Sequence, residues 1–169
     1  MRRIVAAALL VVGGCSRAPE PAPPANAVVT AVVDGDTIVV RVHGHNEHVR
    51  LIGIDTPETV APSKPVMCFG KEASAETASL LAPGTPVQLV RDVEGRDDYG
   101  RLLAYVYRIP DGLFVNLRLA EDGFADALPI SPNTAHADAF RAAVASARAG
   151  RRGLWGACQR FGEPVASPP

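Results

Sequence analysis

An α+β domain built on a five-stranded barrel with three helices is predicted by three features of the chain. Five short segments rich in Val, Ile, Leu and Tyr fall between Val28 and Ile109, most of them bounded by Gly, Pro, Asp or Asn. A helix-forming stretch lies between the third and fourth of them, and two more follow the fifth. The chain has 169 residues, 47% of them hydrophobic, which supplies one buried core and excludes a disordered polymer.

The elements follow in order. Val28–Val33 is β-branched and apolar, a strand, and Asp34-Gly35-Asp36 turns the chain. Thr37–Val42 is the second strand. His43 to Glu47 connects it to a third, His48–Ile54, which Asp55-Thr56-Pro57-Glu58 ends. Histidines 43, 45 and 48 sit on this connection, where spacings of two and three do not converge on a metal; they read as a solvated loop. Gly70–Leu81 carries the Ala, Glu and Leu content of a helix and stops at Pro83-Gly84. Val87–Val90 and Arg101–Ile109 are the last two strands, with Tyr105 and Tyr107 on one face by the period of two. Asn116–Asp122 is a short helix closed by Gly123. In His136–Ala149, Phe140, Ala143, Val144 and Ala147 form one apolar stripe before Gly150. Three strands, a helix, two strands and two helices is the layout of an OB barrel.

The ends differ in kind. Met1-Arg2-Arg3, the apolar run Ile4–Val12 and Gly13-Gly14 read as a secretory signal over residues 1–14, too short to span a bilayer. Val12-Gly13-Gly14-Cys15 resembles the lipobox of bacterial lipoproteins, which implies lipidation of Cys15, export and anchorage to a bacterial membrane. Residues 15–27, with Pro19, Pro21, Pro23 and Pro24, read as a tether. The folded domain is expected over 28–161 and a loose tail over 162–169. With Cys15 lipidated, Cys68 and Cys158 remain as an even pair in an oxidising compartment. A disulfide between them is the first expectation and two buried thiols the second.

Charged residues gather at the strand ends. Asp34 and Asp36 precede the second strand, Arg50 lies on the third, and Asp55 and Glu58 follow it. Asp98-Tyr99-Gly100-Arg101 opens the fifth. Each block alone reads as a turn or a surface ion pair. Together they suit a hard cation and a phosphate, because carboxylates supply hard oxygens and guanidinium forks match phosphate oxygens.

The blocks Val33-Asp34-Gly35-Asp36-Thr37, Arg50-Leu51, Asp55-Thr56-Pro57-Glu58, Gly70-Lys71-Glu72-Ala73-Ser74, Asp98-Tyr99-Gly100-Arg101-Leu102-Leu103-Ala104-Tyr105 and Gly153-Leu154-Trp155 resemble, in order, those of the thermonuclease family of staphylococcal nuclease-like domains. The resemblance runs from Val28 to Trp155. It implies a calcium-dependent nuclease that hydrolyses phosphodiester bonds of DNA and RNA to 3′-phosphate products. It implies that Asp36 and Asp55 bind Ca²⁺ through carboxylate oxygens and Thr56 through its carbonyl, with Asp34 supporting them from behind. Glu58 would accept a proton from the attacking water, and Arg50 and Arg101 would grip the phosphate. Tyr99 would lie beside the nucleotide, and Lys64 would sit on a basic loop near it. Two departures stand out. Leu128 and Ile130 occupy a stretch where well-known members carry tyrosines, and Asp98 replaces a common lysine.

A formal net charge of −1 and a pI near 6.4 exclude a strongly basic nucleic-acid binder. Without Arg2 and Arg3, 15 basic side chains face 18 acidic ones. A nuclease of this composition must act through a few local cations, with weak non-specific grip and a shallow salt dependence. The competing readings are a catalytically inactive OB module binding nucleic acid or protein, and a structural lipoprotein; neither needs all five of Asp36, Arg50, Asp55, Glu58 and Arg101. A monomer on single-stranded DNA or RNA is the expected working form.

Overall fold

The computed structural model describes residues 24–59, 66–109 and 111–165. The expected signal, Cys15, most of the tether and Lys64 lie outside them.

The barrel is made of β1 (Ala27–Val32), β2 (Thr37–Val42), β3 (His45–Leu51), β5 (Pro86–Val90) and β6 (Leu102–Arg108), with the short β4 (Gly53–Asp55) following β3. Their order is β3-β2-β1-β5-β6, and β3 pairs in parallel with β6 to close the barrel. A two-residue strand β7 (Leu113–Phe114) extends β6, and β8 (Asp126–Leu128) pairs with β4. Inward residues alternate, as the pleat requires: Ile38 and Val40 on β2, Val49 and Leu51 on β3, and Ala104 and Val106 on β6 are buried.

Three helices pack on this barrel, as the sequence predicts: α1 (Gly70–Leu80), α2 (Val115–Glu121) and α3 (Ala137–Ala149). A single turn, α4 (Leu154–Ala157), follows. Phe140, Ala143, Val144 and Ala147 face inward from α3, so its periodicity identifies the buried stripe. Asn116 on α2 is fully buried. Its amide donates to the carbonyls of Ile52 and Ala104 and accepts from the Val106 amide, tying α2 to the seam of the barrel. Tyr105 and Tyr107 do share a face, both packing on Phe114.

Two expectations need correction. The connection between β2 and β3 is a two-residue turn rather than a five-residue one. His43 and Gly44 both have positive φ, 49° and 86°, the geometry whose twist matches the flanking strands. The third strand does not run unbroken to Ile54. At Gly53 φ is +86°, and a side chain there would collide with the Phe140 ring. The strand therefore bends, and β4 leaves the barrel to pair with β8.

Cys68 and Cys158 are joined in a disulfide. Within the tail expected to be loose, residues 163–165 pair with residues 66–68.

Candidate active site

The Asp34-Gly35-Asp36 turn meets the end of β3 because backbone bonds place it there. The Leu51 amide donates to the Asp36 carbonyl at 2.8 Å, and the amides of Val33 and Asp34 donate to Thr37. On the far side, the buried Thr77 hydroxyl of α1 donates to the Gly35 carbonyl at 2.6 Å. Gly35 is required here. A Cβ would lie 2.6 Å from the Thr56 hydroxyl oxygen.

The turn aims Asp36 inward, where it is 6% exposed. Its Oδ2 accepts from the Thr56 amide at 2.9 Å and the Thr56 hydroxyl at 3.1 Å, and pairs with Arg50 Nη1 at 2.8 Å. Thr37 Oγ1 donates to Oδ1. Arg50 reaches Asp55 Oδ1 through Nη2 at 2.9 Å and donates to the Leu51 carbonyl. One guanidinium thus bridges the two carboxylates expected to hold a metal. Asp34 accepts from the Asp36 amide at 3.1 Å, which closes the turn and backs the cluster.

Glu58 acts electrostatically on both Asp34 and Asp55, so it belongs to the same acidic group. Its Oε1 accepts from the Thr59 amide, and its own amide is directed at Met67 Sδ, 3.3 Å away.

Four interacting carboxylates, only two of them paired with Arg50, leave an excess of negative charge. Burial, followed by repulsion from Asp36, pushes the Asp34 carboxyl up to about 6. Burial also raises Asp36 and Asp55, against the opposing pull of Arg50. Raised carboxyl pKa values mean that ionising this group is costly without further positive charge. Hard oxygen donors with that deficit fit a divalent cation of the calcium type. Among the described residues, the one group of three His, Cys, Asp or Glu side chains with ligand atoms all within 4.8 Å of one another is Cys68, Cys158 and Glu163, and its two sulfurs are bonded to each other.

Arg101 and Arg50 both line a cleft of about 330 Å³. Arg101 Nε donates to Asp97 Oδ2 at 2.7 Å, and its guanidinium lies 5.5 Å from the centre of the Tyr99 ring. Asp97 also accepts at Oδ1 from the amides of Tyr99 and Arg101, so a single carboxylate shapes the loop. This loop is further held by Arg96, which pairs with Glu47 through both terminal nitrogens at 2.9 Å and donates to the Gly100 carbonyl. Tyr99 is 87% exposed. Leu128 and Ile130, exposed at 39% and 64%, line the same cleft. The positions at which the resemblance expects tyrosines therefore do face the cleft.

Asp55 and Thr56 thus gather around Asp36 and Arg50, with Glu58 acting on Asp55, and Arg50 lines the same cleft as Arg101 and Tyr99. Sequence reasoning missed Asp97 and Asp126. Asp126 is opposite Asp55 in the β4–β8 register and adds to its repulsion. Nothing in the local sequence predicts β8, so only the fold brings Asp126 to this position.

The staphylococcal nuclease homologue family model matches residues 48–157. This chain belongs to that family. It is 42% identical to the thermonuclease of Staphylococcus intermedius over 128 residues, 76% of this chain and 74% of that one. Its identity to the thermonuclease of Staphylococcus hyicus is 40%, over 75% of this chain and 73% of the relative. It is also 39% identical to the endonuclease YncB of Bacillus subtilis strain 168, over 77% of this chain and 61% of the relative. The family match begins within β3, so the Asp34–Asp36 turn lies N-terminal to it.

Proposed function

We propose that the protein is a calcium-dependent nuclease, exported and anchored to a bacterial membrane through lipidated Cys15, that hydrolyses phosphodiester bonds of DNA and RNA. Its family and its thermonuclease relatives make it a hydrolase of the micrococcal nuclease type. The observation that carries the finer reading is the placement of Arg50. It joins the buried Asp36 and the half-buried Asp55 to the cleft that Arg101 also lines.

Substrate phosphate enters the cleft and accepts hydrogen bonds from Arg50 and Arg101. Glu58 takes the proton of the attacking water, a task suited to a carboxylate. The water oxygen bonds to phosphorus and the bond to the 5′ oxygen breaks, leaving a 3′-phosphate. Negative charge accumulates on the phosphoryl oxygens in the transition state, where the two arginines bind more strongly than in the ground state. Asp36, Asp55 and the Thr56 carbonyl would hold Ca²⁺, which would supply a hard double charge that stabilises the phosphoryl transition state. Tyr99 and Lys64 are assigned to contact the nucleotide. A monomer suffices, because one chain contributes every group.

The deciding experiment incubates the protein with single-stranded DNA and RNA, with calcium and with a chelator. Calcium-dependent cleavage is expected. Retention of the strand without cleavage by well-folded protein would instead make the chain a binding module. Glu58→Gln is expected to lower kcat by roughly 10²–10⁴, the range of general-base catalysis. For the anchor, Cys15→Ser should move the protein from the membrane fraction to the soluble one; unchanged fractionation refutes lipid attachment.

A further inference from the structure

Glu58 is attached to the rest of the molecule in an unusual way. Its carbonyl accepts from the Met67 amide at 3.0 Å, and its amide is directed at Met67 Sδ at 3.3 Å. Met67 therefore meets Glu58 with both its backbone and its side chain. The segment that carries Met67 is itself braced on its other edge. The Cys68 amide donates to the Glu163 carbonyl at 2.8 Å, the Val165 amide donates to the Val66 carbonyl at 2.9 Å, and Met67 bridges to Pro164.

The anchor of this small ribbon is the disulfide. Cys158 ends α4, whose Leu154 is buried and whose first amide donates to the Gly123 carbonyl. The Cys68–Cys158 bond thus attaches the Met67 segment to a turn fixed in the body of the protein. The tail that braces it also starts at Cys158, and Glu163 Oε1 accepts from the Gln159 amide. Cutting one covalent bond loosens both sides of the ribbon while leaving the barrel strands untouched.

We infer that Met67 is a positioning residue for Glu58 and that the Cys68–Cys158 disulfide holds it in place, so that turnover responds to the thiol redox state of the surroundings. The inference rests on the reading of Glu58 as the base. The redox step is ordinary exchange with a dithiol reductant. A thiolate attacks one sulfur, the second thiol of the reductant completes its own disulfide, and two electrons and two protons leave two cysteine thiols behind.

Dithiothreitol-reduced protein and the Cys68→Ser/Cys158→Ser double variant are compared with the oxidised enzyme on single-stranded DNA, with folded fraction followed by thermal melting. At temperatures where both remain folded, kcat is expected to fall about tenfold or more, since small misplacements of a catalytic group are costly. KM stays within about twofold, because the substrate phosphate is gripped by Arg50 and Arg101 rather than by Glu58. Met67→Gln, which retains a side-chain acceptor, should keep most of the turnover that Met67→Leu loses. In a Glu58→Gln background, reduction should have no further effect on residual kcat, the mark of two changes acting through one group. Wild-type kcat in folded, reduced protein overturns the inference, as does a loss that merely tracks the unfolded fraction. Full activity of Glu58→Gln overturns the parent reading instead.

Discussion

The two arginines of the cleft differ in what they are already doing. Arg50 is 15% exposed, lies on a barrel strand and is bonded to Asp36, to Asp55 and to a main-chain carbonyl. Arg101 is 32% exposed, precedes a strand and is bonded to one carboxylate, Asp97. The first is part of the arrangement that makes a buried acidic group tolerable. The second is presented to the cleft by a loop. Two residues of one type, expected to grip one phosphate, are therefore tied to stability to very different degrees.

The largest expected effect separates them directly. Arg101→Ala should lower kcat by roughly 10²–10³ or more, the loss seen when one donor to a developing oxyanion is removed. Its melting temperature should barely change, since the site is partly solvated and its ion pair is worth little. Arg50→Ala should lose at least as much activity and also be destabilised by roughly 1–3 kcal/mol, because Asp36 keeps its burial and loses its charged partner. Paired kinetic and melting measurements check this. Equal melting temperatures for the two variants would erase the distinction.

A smaller effect tests the acidic side alone. In chelator, Asp34 titrates near 6 in the folded protein against about 3.9 in an unfolded chain. A carboxyl raised on folding favours the folded state while protonated. Its contribution is complete below about 4 and is lost as pH rises through about 6. Asp36 and Asp55 shift in the same direction. Stability of the chelated protein from this group should therefore fall between pH 4 and 7, and Asp34→Asn should show less of that fall. Calcium added at pH 7.5 should restore stability by mass action. Urea titrations at pH 4.5 and 7.5 would measure both, and identical pH profiles for the variant and the parent would refute the assignment.

The same contrast governs what could be read from the chain. The gathering of Asp36, Arg50 and Asp55 at neighbouring strand ends is legible because strand segments and the Asp-Gly-Asp turn fix where those ends fall, while their roles toward metal and phosphate come from the family resemblance. The loop before β6 is less legible. There the sequence draws attention to Asp98, yet Asp97 holds Arg101, since side-chain direction within a turn depends on backbone angles that residue types do not dictate. The tight hairpin at His43-Gly44 was hidden by the turn-forming character of Asn46 and Glu47, which the barrel nevertheless enlists as strand. At Gly53 the backbone takes a positive φ and the Phe140 ring, 87 positions later in the chain, leaves no room for a side chain, so the glycine marks the break while its packing partner is set by the fold. Burial and long-range contact, rather than propensity, decided each of these points.

The smallest expected effect lies on the exposed side. Leu128 and Ile130 offer apolar surface beside Arg101, where an aromatic face would stack on a base. Stacking contributes about 1–3 kcal/mol per base. Ile130→Tyr, at the more exposed of the two positions, should therefore lower KM for single-stranded DNA by roughly fivefold at the low end of that range. Its kcat should stay near that of the parent, because no group near Glu58 or the carboxylates has moved. The slope of affinity against salt should also stay shallow and unchanged, since the substitution adds no cation and releases no further counterions. A steeper slope would mean that the new ring had drawn additional phosphates onto the protein. A drop in kcat would mean that the apolar rim of the cleft and the acidic group beyond Arg50 are coupled and would have to be treated as one unit.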